Sequence, residues 1–321
     1  MPKSAHDEVR RGRDDSRDDG GRNRRGSARR PRAVLAVALT AVLAGGALAG
    51  CDATGGNKPA PTPSPTSSKP AGPTWNTAPA SVAAVGDSIT AGFDVCTLLA
   101  DCPEASWATG TRKKVKSLSQ RLLGADAKDN SWNYAVSGAR MEGLTPQVQR
   151  AVRHEPELLT VLMGANDACR EDVAYMTPVA DFRRDFESAL RTVRKDSPKT
   201  QVYVSSVPDL KRLWSQGRTN PESKKLWSLG VCAAMLANPD ATDAKSNARR
   251  DAVRQRVVEY NEVLRDACAT DALCRFDPTL FDYKFTLKQL SEFDYFHPNI
   301  DGQAKLAEVA YENVTSAEGP A

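Results

Sequence analysis

Val85-Gly86-Asp87-Ser88-Ile89-Thr90-Ala91-Gly92 closes a short apolar run and at once presents Asp87 and Ser88 where a strand hands over to a helix. That arrangement suits a nucleophilic serine. The strand end fixes the side chain, Gly86 permits the tight turn, and the first N–H groups of the next helix can face an anion forming beside the hydroxyl. Gly-Asp-Ser is also an ordinary turn sequence, so its weight depends on what surrounds it.

Downstream, short apolar runs alternate with helical periodicity. Strands are predicted over 81–86, 132–136, 158–164 and 201–207. Val115, Leu118 and Leu122 mark one helix, and another is expected near 145–153. Phe182, Phe186, Leu190 and Val193 share one helical face, Val253, Val257, Tyr260, Leu264 and Ala267 a longer one, and Leu306, Val309 and Ala310 a last one. Strands too apolar for one-sided exposure, alternating with helices, predict an α/β fold: a three-layer α/β/α sandwich around a central, mainly parallel sheet. In such folds ligands bind beyond the carboxyl ends of the strands. Asp87-Ser88, Ser137-Gly138-Ala139 and Gly164-Ala165-Asn166-Asp167 follow the first three strands, so they are expected to converge.

A serine nucleophile at neutral pH needs a base, and the chain holds three histidines, His6, His154 and His297. His6 precedes the fold. His154 has Glu155 and Glu157 nearby but comes just before a strand, at the sheet end opposite Ser88. His297 stands in Asp294-Tyr295-Phe296-His297-Pro298, where a turn can bring Asp294 to one ring nitrogen and leave the other for the serine. A capping histidine before a proline is the plainer alternative, and Ser88 and Asp294 together weigh against it.

With these residues assembled, the chain resembles the SGNH family of the GDSL hydrolases over residues 81 to 316. Gly86-Asp87-Ser88-Ile89 is similar to its first block, with Ile for Leu; Gly138 to the second; Gly164-Ala165-Asn166-Asp167 to the Gly-x-Asn-Asp block; and Asp294-x-x-His297 to the last. No Gly-x-Ser-x-Gly is present, so the α/β-hydrolase elbow is not the match. The resemblance implies an SGNH-type, flavodoxin-like sheet, Ser88 as nucleophile, His297 as base and then acid, and Asp294 as its orienting partner. It implies an oxyanion hole from the backbone N–H groups of Ser88 and Gly138 and the side-chain amide of Asn166. A glycine at 138 is expected to let backbone approach the oxyanion. Asp167 receives no role beyond that of a helix cap.

The first 50 residues read as a lipoprotein signal peptide, an Arg-rich stretch leading into the apolar run 33–48 and then Ala49, Gly50 and Cys51. Leu48-Ala49-Gly50-Cys51 resembles a bacterial lipobox, which makes Cys51 the lipidation site; an ordinary signal peptide cleaved near Ala49 and a membrane-spanning helix are the alternatives. Residues 51–80 are Pro-, Ser-, Thr- and Gly-rich and are expected to form a disordered tether. The folded domain is expected over 81–318. Of the 44 Lys and Arg and 40 Asp and Glu, the first 50 residues hold 11 and 6, leaving 33 against 34. A nearly neutral mature chain gives no reason to expect nucleic-acid binding.

Six cysteines remain after Cys51, an even number in a chain expected to be exported. Fifteen connectivities are open to them. Cys96/Cys102 and Cys268/Cys274 are each six apart and look like local staples, which leaves Cys169 with Cys232; three such bridges also resemble those of secreted actinobacterial esterases of this family. Without Cys-x-x-Cys or a His pair, no metal site is expected, and no cofactor.

The sequence therefore predicts an exported, membrane-anchored serine ester hydrolase, a monomer acting on a lipid, acylated carbohydrate or small ester. An acyltransferase on the same fold and a non-catalytic binding lipoprotein are the alternatives. Leu213, Trp214, Leu226 and Trp227, in the segment 208–243 that interrupts the alternation, are expected either to line an acyl pocket or lid or to bury their rings against the body.

Overall fold

Alternate residues of each central strand enter different cores. In β1 (Val82–Gly86), Ala83 and Val85 pack into one apolar cluster while Val82 and Ala84 pack into another. β3 (Leu158–Leu162) divides Leu159 and Val161 from Leu158 and Leu162, and β4 (Gln201–Ser205) divides Val202 and Val204 from Tyr203. A period of two with both faces apolar requires helices on both sides. The computed structural model describes residues 74 to 318, so the leader expected at 1–50, Cys51 and the tether up to residue 73 lie outside the described residues.

Elements follow in the order β1, α1 (Ser88–Ala91), α2 (Leu118–Leu123), β2 (Ser131–Asn133), α3 (Leu144–Ala151), β3, α4 (Ala165–Ala168), α5 (Val179–Asp196) and β4. The inserted helices α6 (Leu210–Gly217), α7 (Pro221–Trp227) and α8 (Ala233–Leu236) come next. They precede α9 (Ala244–Ala269), β5 (Cys274–Asp277), α10 (Thr279–Asp282) and α11 (Ile300–Thr315). Helices α3, α5 and α9 cover one face of the sheet, and α2, α10 and α11 cover the other. The chain thus has the expected three-layer α/β/α architecture.

All five strands are parallel, in the order β2-β1-β3-β4-β5. The chain leaves β1 toward β2 and returns on the other side to β3, so the crevice between β1 and β3 is the switch point at which such sheets bind ligands. Ser88 and Asn166 stand at its two lips.

Three features depart from the sequence reading. β5 was not foreseen: its residues, Cys-Arg-Phe-Asp, carry one large apolar side chain, because an edge strand covered by the end of α9 needs little more. β2 is shorter than 132–136, although the N–H groups of Tyr134 and Val136 still donate to Ala84 and Gly86 (2.8 and 3.2 Å). The packed body also starts before residue 81. Trp75 donates its indole N–H to the Val314 carbonyl (2.9 Å), and the Arg275 guanidinium lies 4.2 Å from its ring centre. Residues 74–80 therefore belong to the body rather than to the tether.

Three disulfides join Cys96 to Cys102, Cys169 to Cys232 and Cys268 to Cys274. The first two brace the loops that follow α1 and α4.

Candidate active site

Gly86 ends β1 where the Leu162 carbonyl crowds it: a Cβ there would stand 2.4 Å from that oxygen and 2.7 Å from Thr90 Oγ1. The turn needs glycine for this close approach. Its N–H donates to Gln147 Oε1 (2.8 Å), and Asp87 caps α1 by accepting the Ile89 N–H (3.0 Å). From the opposite face Gln303 holds the same turn, donating to the Ile89 carbonyl (2.8 Å) and accepting the Trp107 N–H (2.9 Å). Ser88 thereby opens α1 with its hydroxyl fixed in direction.

The loop before α11 carries the other two groups. Asp294 Oδ1 accepts the N–H groups of Phe296 (2.8 Å) and His297 (3.0 Å), which wraps the chain around the carboxylate and aims Oδ2 at His297 Nδ1 (2.5 Å). Tyr295 takes a positive φ of 52° to complete that wrap. The other ring nitrogen, Nε2, stands 2.8 Å from Ser88 Oγ. Phe93 and Phe296 flank the imidazole, each with ring centres 5.1 Å away.

The two remaining loops are bound to each other. Asn166 Nδ2 donates to the Ala139 carbonyl (3.0 Å), and Asp167 Oδ2 accepts the Met141 N–H (3.0 Å). Ser137 donates its hydroxyl to Asp101 in the Cys96–Cys102 loop. Among the described residues, the N–H groups of Ser88 and Gly138 find no protein acceptor, and only one of the two amide hydrogens of Asn166 is used. Gly138 takes a φ of 78°, which favours glycine, and a Cβ there would meet no protein atom within 4 Å.

Burial divides the acidic groups by role. Burial alone would push Asp294 up, but the His297 hydrogen bond and charge, with the two backbone N–H groups, outweigh it and hold the carboxyl below its usual range. Asp87 goes the other way: burial raises it to about 7, against the Ile89 N–H and the His297 charge. Asp167 is raised to about 6, again by burial, with the Met141 N–H among the opposing contributions. The carboxylate bonded to the imidazole is thus held ionised, whereas Asp87 and Asp167 resist ionisation.

His154 stays outside the site. It is exposed, stacked on Trp132 (4.2 Å between ring centres) and hydrogen-bonded to the Tyr134 hydroxyl (2.6 Å).

A small apolar cavity of about 30 Å³ lies beneath these loops. Its walls include Ile89, Ala165, Phe296 and Pro298, each the chain neighbour of Ser88, Asn166 or His297, together with Leu213 and Phe285. The expected lining by Trp214 and Trp227 is not found. They are 6% and 1% exposed, with the Trp214 indole N–H on the Pro239 carbonyl and that of Trp227 on the Asp294 carbonyl. Both rings bury against the body, the second of the two expectations, and Leu213 alone of the four reaches the cavity.

Asp94, Asp101 and Gln147 were not singled out in the sequence, because each acts through a residue tens to hundreds of positions away. Asp167 was seen but left without a role, which its bond to Met141 now supplies.

A parallel α/β sheet with a serine, a histidine and a carboxylate in line at its switch point is an arrangement suited to acyl transfer. Residues 84–305 match the model of the GDSL-like Lipase/Acylhydrolase family, and the chain belongs to that family of carboxylic ester hydrolases. It is 23% identical over 285 residues to the membrane-associated phospholipase B1 of Rattus norvegicus, a match covering 74% of this chain and 20% of that protein. The chain thus spans about a fifth of the length of that curated relative. Among solved structures, it is similar to an extracellular lipase of Streptomyces rimosus, with 19% identity, TM-score 0.44 and coverage of 74% and 99% of the two chains. A catalytic mutant of Axe2, an acetylxylan esterase of Geobacillus stearothermophilus, gives 15% identity, TM-score 0.46 and coverage of 74% and 94%.

Proposed function

We propose that the chain is a serine esterase that works through an acyl-enzyme at the outer face of the cell membrane, held there by lipid on Cys51. The observation that carries the catalytic part is the position of one imidazole, with Nε2 at 2.8 Å from Ser88 Oγ and Nδ1 against Asp294. Export and anchoring rest on the apolar run 33–48 and the Leu48-Ala49-Gly50-Cys51 ending.

In this mechanism Ser88 Oγ attacks the ester carbonyl carbon while its proton passes to His297 Nε2. Asp294, ionised, keeps the proton on Nδ1 and stabilises the imidazolium. The carbonyl oxygen becomes an oxyanion, met by the N–H groups of Ser88 and Gly138 and the free amide hydrogen of Asn166. Such donors act because they are already aimed before charge develops. His297 then gives its proton to the departing alkoxide, and the same steps with water release the acid and restore Ser88.

Replacing Ser88 by Ala tests the assignment. Loss of ester turnover by about 10⁴-fold or more, with loss of covalent labelling by a fluorophosphonate and an unchanged melting curve, is expected; labelled, active Ser88→Ala protein would falsify it.

A further inference from the structure

Asp94 is a buried carboxylic acid that the acyl-transfer scheme leaves unused. It is 2% exposed and lies six residues after Ser88, two residues before the loop closed by the Cys96–Cys102 disulfide. One of its carboxyl oxygens, one of Asp294 and a ring nitrogen of His297 fall within 4.8 Å of one another. The backbone carbonyl of Asp94 accepts the Ser291 hydroxyl (2.6 Å), so the loop of the serine and the loop of the histidine are joined at this residue. Asp94 also holds a left-handed φ of 56°, a conformation that an aspartate adopts at a cost and keeps only where the surroundings enforce it.

We propose that Asp94 is a second carboxylate of the proton relay, a positioning residue whose negative charge, beside Asp294, raises the basicity of His297. The proposal rests on His297 acting as the base for Ser88. Three acidic groups act on that imidazole: Asp294 from its own loop, Asp94 from the segment just before the disulfide loop, and Asp87 from the turn after β1. Asp94 itself faces Asp294 and His297, and from the disulfide loop it receives the Leu99 N–H. Burial, with the charge and a hydrogen bond of Asp294, raises its carboxyl on balance, against the Leu99 N–H and the His297 charge. Coupling is reciprocal. If protonated His297 favours ionised Asp94, ionised Asp94 must favour protonated His297 to the same degree, and Asp294 alone does not set the relay.

Asp94→Asn isolates the charge. Asparagine keeps an oxygen for the Leu99 N–H and tolerates the left-handed backbone well, so the loop should retain its shape. The readout is the acid limb of the kcat/KM profile against pH, which follows protonation of the free enzyme's base. Removing a negative charge makes the imidazole easier to deprotonate, so the limb moves to lower pH. A shift of about half a unit or more is expected, since a unit charge at this distance produces that much even with water-like screening. Asp94→Glu, which restores the charge, should return the limb toward the wild-type position. A purely structural Asp94 would lower kcat or the melting temperature in both variants and leave the limb where it was.

An unmoved acid limb in folded, fluorophosphonate-reactive Asp94→Asn protein overturns the proposal and leaves the role of His297 standing. Loss of labelling in Ser88→Ala and His297→Ala bears on the role of His297 instead, so the two failures are distinguishable. Where the asparagine variant does not fold, the carboxyl carbon resonance of Asp94 in the unaltered protein serves. Two inflections with pH, one its own and one tracking His297, support the coupling, and a single inflection overturns it.

Discussion

The side-chain amide of Asn166 donates to the carbonyl of Ala139, 3.0 Å away and one residue past Gly138. Two of the three donors assigned to the oxyanion are therefore held to each other rather than placed independently. Replacing Asn166 by Ala removes one donor and loosens the second. A fall in kcat of about 10²- to 10³-fold is expected, with a much smaller change in KM, because the lost interaction strengthens only as charge develops. Steady-state kinetics on a soluble aryl ester measures both. A variant that raises KM and spares kcat would show that Asn166 binds substrate instead.

Asp167 supports the same loop from behind, through the Met141 N–H. Asp167→Ala leaves that N–H without its buried acceptor and frees the Gly138 loop, so kcat should fall by about tenfold with a melting temperature lowered by several degrees. Asp167→Asn, which keeps an acceptor, should recover most of the activity. Equal losses in the two variants would show that the charge matters rather than the hydrogen bond.

How much of this arrangement was legible in the sequence depends on whether a residue's role is local. The strands β1, β3 and β4 declare themselves because both faces of each are apolar, and His297 stands out in a chain with three histidines. Its partner Asp294 is three residues away, within one turn. Asp94 has no such local sign: it meets Asp294 only because two loops cross in space. β5 was hidden because a four-residue edge strand can be polar, and Trp75 because a lone tryptophan in a Pro- and Thr-rich stretch gives no periodicity. The cysteines were readable from spacing, whereas Trp214 and Trp227 were not, since a large ring suits a pocket wall and a core equally well.

The two buried acids Asp87 and Asp167 make stability depend on pH in a set direction. Their folded-state values, about 7 and about 6, lie above the ordinary 3.8. Over that interval the folded protein binds more protons than the unfolded chain, so stability falls as pH rises from about 4 to 7 and levels off beyond. Thermal melts across this range should show the decline, and Asp167→Asn should flatten its lower part, up to about pH 6. A melting temperature that instead climbs steadily from pH 4 to 7 in both proteins would mean that these acids are ionised in the fold.

The Cys169–Cys232 bridge closes a loop of 63 residues between α4 and α8. Chain entropy alone gives it a contribution of roughly 4 kcal/mol. The double variant Cys169→Ser/Cys232→Ser is expected to lose stability of that order in urea titration, and to lose activity before global unfolding, because the bridge starts two residues after Asp167. Coincident loss of activity and of tertiary structure would indicate that the Asn166 loop is held by the rest of the fold.

Leu213 and Trp227 separate pocket from core within one inserted segment. Trp227 is wholly buried, with the flat Gly217 against its ring and its indole N–H on the Asp294 backbone, so Trp227→Ala should cost about 3 to 5 kcal/mol and depress turnover of every ester alike. Leu213 lines the apolar cavity beneath the site. That cavity has room for little more than one or two water molecules, so no acyl chain enters it as it stands, and Leu213→Phe, which overpacks it, should cost about 1 to 3 kcal/mol and leave the preference among acyl lengths unchanged. Kinetics on p-nitrophenyl esters graded from acetate to decanoate checks this. A selective loss of long-chain turnover in the Leu213 variant would mean that the cavity opens to admit the acyl group.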